Sequence, residues 1–230
     1  MNKYLKFSNY ASYFRNRFVK HVKSYSQSAE DLILNNFFKD KNYGVYVDVG
    51  ANDPKKFNNT YFFYKKGWRG LNIEPNIDKY VKLKKIRKND VNLNIGVGSL
   101  PGKLDFYDFK EDTLSTFSKD IAEDYQKMGH RVKGVKSVEV CRLDSIFDKH
   151  LNGKKIDFIT IDTEGNDLDV LKSNDWSKYR PSYLVVETLE YKIDDSAKKL
   201  NDIFDEYLKS ISYMPVIDTG INTIYADSLK

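Results

Sequence analysis

The chain has 230 residues, of which 40% are hydrophobic and 14% aromatic, and its formal net charge is +5. This length allows one large hydrophobic core, and the single cysteine, Cys141, excludes both a disulfide framework and a zinc site built from several cysteines. We therefore expect a reducing, cytoplasmic location. No apolar segment is long enough to span a membrane, and the N-terminus lacks the continuous apolar segment of a secretion signal.

The positive charge is concentrated at the N-terminus. Residues 1–26 contain six basic residues and no acid, so the rest of the chain holds 32 basic and 33 acidic residues. A nucleic-acid-binding domain carries its positive patch on the folded surface. A near-neutral body therefore predicts no nucleic-acid partner, whereas the basic extension favours phosphorylated substrates or an anionic surface.

An aromatic stripe runs through the same extension. Its members recur at three- and four-residue steps, as on one face of a helix: Tyr4, Phe7, Tyr10, Phe14 and Phe18. We interpret residues 1–24 as a basic, aromatic helical arm that packs on the domain or on a second copy of the chain, as in a homodimer. Contact of this helix with a membrane surface is the less favoured alternative. Residues 25–230 are predicted to form one domain.

A polar segment precedes the first buried strand. Ser28 is a suitable N-cap for a helix whose first turn contains Glu30 and Asp31, where acids complement the helix dipole. Capping alone leaves unexplained why Gln27, Glu30 and Asp31 occur together at this point. Some of these side chains could therefore face a ligand.

The strand and turn from Val45 to Asn52 organise the rest of the chain. Its β-branched residues predict a buried parallel strand, and ligands bind at the carboxyl ends of such strands. Gly50 allows a positive φ or the close approach of a ligand, and the Asp48 carboxylate could receive an ammonium group or backbone N–H groups. One glycine preceded by an acid differs from the Gly-x-Gly-x-x-Gly turn and favours a zwitterionic cofactor over a pyrophosphate. No P-loop motif is present.

A second strand is predicted from Arg69 to Glu74, after an aromatic helix over residues 60–64. Glu74 lies a little over twenty residues beyond the glycine turn, where a doubly wound nucleotide-binding fold places the acid that binds the ribose hydroxyls. A basic helix follows at residues 77–88. A third strand is predicted from Val91 to Val97, running into a turn at Gly96 that could border an adenine.

The remaining elements alternate between strands and helices. The first group comprises a strand at Lys103–Tyr107, a hydroxyl-rich loop at Asp112–Ser118, a helix at 119–129, an extended segment at Val135–Val140 and a helix at Leu143–His150. The second group comprises strands at Ile156–Asp162 and Tyr183–Glu187, helices at Leu168–Leu171 and Ser196–Leu208, and a hairpin of Ser212–Ile217 with Ile221–Ala226. This order predicts an α/β fold with a mostly parallel sheet, a final antiparallel hairpin and helices on both faces.

Three predicted strands end in carboxylates, at Asp48, Asp162 and Glu187. Unpaired carboxylates are costly to bury, so a shared cleft is a better explanation of this pattern than the needs of the fold. Such a cleft suits a cationic cofactor, a general base or a divalent metal ion.

These motifs resemble those of the FkbM-type S-adenosylmethionine-dependent methyltransferases. The resemblance rests on five segments, covering about residues 25–226: Ser26–Asp31, Val47–Asn52, Asn72–Asn76, Ile161–Asn166 and Val185–Glu187. It implies a class I methyltransferase fold, Rossmann-like, with a seven-stranded sheet. It also implies a site for S-adenosylmethionine at Asp48, Gly50, Ala51, Asn52, Glu74, Pro75, Ile95, Gly96 and Asp162.

The resemblance assigns a part of the cofactor to several of these residues. Gly50 and Ala51 would underlie the methionine moiety, and Asp48 would help to anchor its amino group, directly or through water. Glu74 would bind the ribose hydroxyls. Ile95 and Gly96 would border the adenine.

Family members commonly methylate hydroxyl groups, so we expect O-methylation of a sugar, a sugar nucleotide or a glycan. Asp162 is the first candidate for the general base or for orienting the acceptor, and Glu164 and Glu187 follow. A salt bridge or a helix N-terminal charge explains Glu164 equally well. Asp162 and Glu187 could alternatively hold Mg²⁺ or Mn²⁺. A nicotinamide-dependent oxidoreductase and a non-catalytic binding module on the same fold are the competing functions.

Overall fold

The computed structural model describes residues 22–111, 113–191 and 197–230. Within these ranges the helices are α1 (Glu30–Phe37), α2 (Tyr61–Lys65), α3 (Ile77–Ile86), α4 (Lys119–Lys127), α5 (Leu143–His150), α6 (Asp167–Lys172) and α7 (Asn201–Ser210). The first strands are β1 (Val45–Val49), β2 (Arg69–Ile73), β3 (Val91–Leu93), β4 (Gly96–Val97), β5 (Gly102–Phe109) and β6 (Val132–Cys141). The later ones are β7 (Phe158–Ile161), β8 (Tyr183–Glu187), β9 (Leu189–Tyr191), β10 (Ala197–Lys199), β11 (Tyr213–Asp218) and β12 (Asn222–Asp227).

The main sheet has seven strands in the order β3-β2-β1-β7-β8-β12-β11. β1 pairs in parallel with both β2 and β7, and β12 runs antiparallel to both β8 and β11. The predicted mostly parallel sheet with a final antiparallel hairpin is therefore confirmed. The chain leaves β1 towards β2 and β3 on one side and later returns beside β1 at β7. This reversal places a ligand-binding crevice at the carboxyl ends of β1 and β7.

Hydrophobic residues cover both faces of this sheet, because successive side chains of a strand point to opposite faces. Val47 and Val49 belong to a core cluster that includes residues of α5, α6 and α7. Tyr46 and Phe158 belong to a second cluster, with residues of α1 and α2. The predicted helices on both faces are thus confirmed.

A second, three-stranded sheet has the order β4-β6-β5. β5 and β6 form a long antiparallel ladder, and α4 lies between them along the chain. The predicted third strand, Val91–Val97, is wrong in this region, because the main-sheet strand ends at Leu93 and residues 96–97 pair with β6. The Asn94 side chain instead donates to the carbonyl oxygens of Glu74 and Pro75, both at 2.8 Å, which turns the chain away from the main sheet.

Other predicted boundaries also change. Ala29, with φ of 65°, is the N-cap of α1, and Ser28 instead donates its backbone N–H to the Glu30 carboxylate at 2.9 Å. The last predicted helix begins at Asn201, because residues 197–199 pair with β9. Residues 1–21 of the predicted arm lie outside the described residues, so the arm and its boundary stay predictions. No helix in the described ranges is long and apolar enough to cross a membrane.

A fully buried arginine crosslinks the loops on the α2 side of the sheet. The Arg87 guanidinium donates to Asp90 at 3.0 Å, to the Tyr46 hydroxyl at 2.7 Å and to Thr60 Oγ1 at 2.9 Å. Thr60 Oγ1 in turn donates to Asp48 at 2.7 Å. Burial raises the pKa of Asp48, and the positive charge of Arg87 opposes that rise. This network therefore stabilises the two buried carboxylates of Asp48 and Asp90.

We predict that replacing Arg87 by methionine, as Arg87→Met, lowers the free energy of unfolding by roughly 3–5 kcal/mol, because it leaves buried carboxylates without their counter-charge. Chemical denaturation measures the change. Arg131→Met, at an exposed position, is the matched control and should stay within about 0.5 kcal/mol of the wild type. Equal stability of the two variants would contradict the proposed role of the Arg87 network.

Candidate functional site

A cleft of about 640 Å³, including its open mouth, lies at the carboxyl ends of β1, β2 and β7. The strand ends contribute Val49, Gly50, Asn52, Ile73, Glu74, Pro75, Asn76, Asp162, Thr163, Glu164 and Asn166. The opposite wall contains Lys79 of α3 together with Ile95, Gly96, Val97, Phe106, Thr113, Ser115 and Phe117. The cleft thus occupies the place that the strand order predicts for a ligand.

Gly50 holds the three strand ends together. Its φ is 79°, and its N–H and that of Ala51 both donate to the carbonyl oxygen of Ile73, at 3.0 and 3.2 Å. A Cβ atom at position 50 would lie 1.7 Å from the carbonyl oxygen of Asp162. A side chain therefore cannot fit here without moving β1 and β7 apart.

Glu74 is 5% exposed and lines the cleft. Its two carboxylate oxygens accept backbone N–H groups of Asn52 at 2.7 Å and Asn76 at 2.8 Å. Burial raises the pKa of Glu74 to about 7, although both backbone donors oppose the rise. Because each carboxylate oxygen can accept a second hydrogen bond, Glu74 can bind two neighbouring hydroxyl groups from the cleft.

Aromatic rings form the wall beside Ile95 and Gly96. The Phe106 and Phe117 ring centroids are 5.0 Å apart, and a Cβ atom on Gly96 would lie 2.6 Å from the Phe117 ring. Gly96 therefore leaves the space that lets Phe117 approach the cleft. The sequence prediction includes Ile95 and Gly96 but misses both phenylalanines. Phe106 reaches the cleft through the pairing of β5 with β6, and Phe117 through the pairing of Thr116 with Tyr107.

Three predicted catalytic acids come together at the ends of β7 and β8. Carboxylate oxygens of Asp162, Glu164 and Glu187 lie within 4.8 Å of one another. The carboxyl groups of Asp162 and Glu187 interact, so ionisation of one disfavours ionisation of the other. Asp162 and Glu164 line the cleft, whereas Glu187 lies behind Asp162 and is absent from the lining.

The pKa values of these acids are all raised. Burial and the neighbouring Asp167 charge raise the pKa of Asp162 to about 7. Burial and the Asp162 charge raise the pKa values of Glu164 and Glu187 well above their ordinary range. The cluster therefore favours any ligand that brings positive charge or accepts a shared proton.

Asp167 is a functional residue that the sequence analysis misses. It is buried and accepts the Thr163 N–H at 2.9 Å, the Thr163 hydroxyl at 3.1 Å and the Gly165 N–H at 3.3 Å. It thereby shapes the turn in which Glu164 has φ of 52°. An acid directly before the predicted helix Leu168–Leu171 is the available signal.

Gln27, Glu30 and Asp31 are not brought to this cleft. Gln27 is exposed, and the fully buried Glu30 accepts hydrogen bonds from Thr219 and Asn222, both at 2.8 Å. Asp31 accepts hydrogen bonds from residues 24–26 and 32, which fold the preceding segment onto α1. The structure therefore gives Glu30 and Asp31 anchoring contacts in place of the expected ligand contacts.

Asp48 and Ala51 also lie outside the cleft lining. Asp48 is on the face of β1 that Tyr46 shares, and its carboxylate accepts from Asn58 at 3.0 Å as well as from Thr60. Ala51 is buried beneath the turn. The loop that follows the turn engages one oxygen of the Asp48 carboxylate, and the expected contact of Asp48 with the ligand, direct or through water, stays a prediction.

Most of the chain matches one known protein family. The Methyltransferase FkbM domain matches residues 48–213. The chain belongs to the FkbM methyltransferase family. The match begins at Asp48 and continues through β2, β3, β7 and β8 to the start of β11, so it includes every strand end that forms the cleft.

This FkbM methyltransferase also resembles a solved structure, the 1,6-didemethyltoxoflavin-N1-methyltransferase of Burkholderia thailandensis with bound 1,6-didemethyltoxoflavin and S-adenosylhomocysteine. The identity is 10% and the TM-score 0.47, and the alignment covers 96% of this chain and 86% of that chain. No curated protein gives a significant match.

We predict that Asp162→Asn makes the stability of the free FkbM methyltransferase less sensitive to a rise in pH from about 4 to about 7. The raised pKa means that the folded state holds a proton which the unfolded state loses near pH 4, so the Asp162 contribution to stability falls as the pH rises from about 4 to about 7. Asparagine mimics the protonated acid, so the variant should melt at least as high as the wild type at pH 8, with a smaller difference at pH 5.

Melting temperatures of the two proteins at both pH values measure this effect. Asp40→Asn, which replaces an exposed aspartate outside the cleft lining, is the control and should follow the wild type. An Asp162→Asn variant that loses stability equally at both pH values would contradict the raised pKa.

Proposed function

We propose that the protein is an S-adenosylmethionine-dependent methyltransferase that methylates a hydroxyl oxygen of a sugar, a sugar nucleotide or a glycan. Family membership supports methyl transfer. The observation that carries the cofactor assignment is the Glu74 carboxylate, held at the cleft wall by two backbone N–H groups with acceptor capacity left on both oxygens. That arrangement suits the two hydroxyl groups of a ribose.

The charge of the cleft supports the same cofactor. Asp162 and Glu164 line it, and Glu187 and Asp167 lie behind them. A positively charged sulfonium would lower the electrostatic cost of ionising these acids, whereas a pyrophosphate would increase it. The acidic wall therefore favours S-adenosylmethionine over a nicotinamide dinucleotide, the competing cofactor.

When bound, S-adenosylmethionine supplies an electrophilic methyl group on a positively charged sulfur. The cleft walls must then hold the acceptor oxygen in line with that methyl group, and such alignment is worth roughly 7–11 kcal/mol. A general base adds about 10²–10⁴-fold, because an alcohol is a weak nucleophile.

Asp162 is the best-placed base. It lines the cleft, and a pKa of about 7 leaves a large fraction ionised at neutral pH while keeping the carboxylate basic. The acceptor hydroxyl proton would pass to the Asp162 carboxylate, an oxygen of which lies within 4.8 Å of a Glu187 carboxylate oxygen. Glu164, which also lines the cleft, is the second candidate.

A metal-assisted version of the same reaction uses the same acids. Asp162, Glu164 and Glu187 each offer an oxygen within 4.8 Å of the others, a donor set that suits Mg²⁺ or Mn²⁺. A hard cation there would offset the mutual repulsion of the acids and lower the pKa of the acceptor hydroxyl. Direct transfer of a proton to Asp162 needs no group beyond the residues that line the cleft, so we rank the metal-assisted version second.

We predict that Glu74→Ala weakens binding of S-adenosylhomocysteine by about 10- to 150-fold, since hydrogen bonds to a charged group contribute roughly 1.5–3 kcal/mol. Titration calorimetry measures the affinity, and thermal shifts with S-adenosylhomocysteine and with NAD test cofactor choice. Glu206→Ala, at an exposed position on α7, is the control and should bind as the wild type does. Unchanged affinity in Glu74→Ala would remove Glu74 from the cofactor site.

We predict that Asp162→Asn retains affinity for S-adenosylhomocysteine within a few-fold but lowers methyl transfer by about 10²–10⁴-fold, as loss of a general base requires. Transfer of radiolabelled methyl groups to a panel of sugars, sugar nucleotides and glycans measures turnover. Normal turnover in Asp162→Asn, with turnover lost in Glu164→Gln, would move the base to Glu164. A wild-type protein that binds the cofactor but methylates nothing in the panel would favour a binding module.

Chelation separates the two versions of the chemistry. Activity that persists in EDTA supports direct proton transfer to a carboxylate. Activity that disappears in EDTA and returns with Mg²⁺ or Mn²⁺ would instead assign these acids to a metal ion.

A further inference from the structure

One surface of the protein is basic and aromatic and belongs to no part of the cleft. It consists of residues 22–26 and 54–69, which contain six basic residues and no acid. The basic side chains are all exposed: Lys23, Lys55, Lys56, Lys65, Lys66 and Arg69. We call these two segments the basic aromatic surface.

Ring contacts make this surface continuous. The Tyr25 and Tyr61 ring centroids are 4.8 Å apart, and those of Tyr61 and Tyr64 are 6.2 Å apart. Lys65 Nζ donates to the Tyr25 hydroxyl at 3.0 Å, and the Arg69 guanidinium lies 5.1 Å from the Tyr64 ring centroid. The rings thus form a half-buried layer with cations on it, an arrangement in which one side can be apolar and the other charged.

An exposed phenylalanine stands at the tip of this surface. Phe57 is 53% exposed and has φ of 53°, an unusual backbone conformation for a bulky residue. The Lys56 ammonium lies 4.6 Å from the Phe57 ring centroid, and Lys55 directly precedes Lys56 in the chain. Val22, on the other segment, is 49% exposed. Neither packing nor the cofactor site explains an exposed ring held in this strained turn.

We infer that the basic aromatic surface binds the surface of an anionic lipid bilayer. Lysines and arginines attract anionic headgroups, and aromatic rings insert at the level of the headgroups. A nucleic-acid duplex would use the positive charge, but its bases stay stacked inside the helix and would leave the exposed Phe57 and Val22 side chains without an apolar partner. Residues 1–21 add five basic residues and no acid directly before this surface, so the charge continues along the chain.

Binding of this surface to a bilayer does not depend on which acceptor is methylated, although the surface and the cleft share one loop. Phe57 lies on the loop that begins at Asn52 in the cleft and returns at Asn58, whose side chain donates to the carbonyl oxygen of Ala51 at 3.2 Å. Lipid contact at the loop tip and cofactor contact at its base therefore involve one segment.

Cosedimentation of the full chain with vesicles tests this inference. The wild type should bind vesicles of mixed phosphatidylcholine and phosphatidylglycerol, should bind pure phosphatidylcholine weakly, and should dissociate at high salt. The triple variant Lys55→Gln, Lys56→Gln, Lys66→Gln should lower the partition coefficient on the order of 100-fold, because each lysine contributes about 1 kcal/mol. The matched triple Lys103→Gln, Lys110→Gln, Lys149→Gln, at exposed sites elsewhere, should bind as the wild type does.

The phenylalanine is tested separately. Phe57→Asn suits the positive φ and removes the ring, and should lower binding to the mixed vesicles by about tenfold, whereas Tyr43→Asn, which replaces a 78% exposed ring, should not. Equal binding by the two triple variants would assign membrane binding to residues outside this surface and overturn the inference. Single-stranded DNA bound as tightly as the vesicles, with or without an effect of Phe57→Asn, would overturn it in favour of a polyanion surface, because unpaired bases can also stack on an exposed ring.

Discussion

The whole site depends on the contact between the Gly50 backbone and the carbonyl oxygen of Asp162. A Cβ atom at position 50 would come within 1.7 Å of that oxygen, so β1 and β7 can be neighbours at their carboxyl ends only because residue 50 is glycine. The same turn binds the end of β2, through two N–H groups that share the Ile73 carbonyl. The carboxyl ends of β1, β2 and β7 therefore all lie beside Gly50. For that reason Glu74 and Asp162 face the same cleft.

The sequence predicts the parts of this arrangement that local pattern determines. Buried β-branched runs that end in an acid identify β1, β7 and β8, and the alternation of strands with helices determines a mostly parallel sheet. Glu74 could be predicted because its distance from Gly50 follows from the length of one helix and one strand with their connecting loops. Asp162 and Glu187 could be predicted to meet because parallel neighbours end at the same edge of a sheet.

The parts that the sequence could not predict depend on contacts between distant segments. Phe106 reaches the cleft through a ladder between β5 and β6, and nothing local specifies its register. Phe117 reaches it from the loop after β5, where Thr116 pairs with Tyr107. The sequence does not show that the Asp48 carboxylate accepts a hydrogen bond from Thr60, whose hydroxyl the Arg87 guanidinium holds in place. Burial alone does not distinguish an acid that binds a ligand from an acid that stabilises the fold, since both lie at the end of a strand and need hydrogen-bond donors.

The acids of the cleft combine stability and chemistry in one structure. Burial and mutual repulsion make them costly in the free protein, and a cationic donor or a proton taken from the acceptor would reduce that cost. A crystal structure with S-adenosylhomocysteine tests this account most directly. It should show both ribose hydroxyls within hydrogen-bond distance of the Glu74 carboxylate and the sulfur facing Asp162. A ligand bound elsewhere, or ribose hydroxyls more than about 4 Å from that carboxylate, would contradict the account.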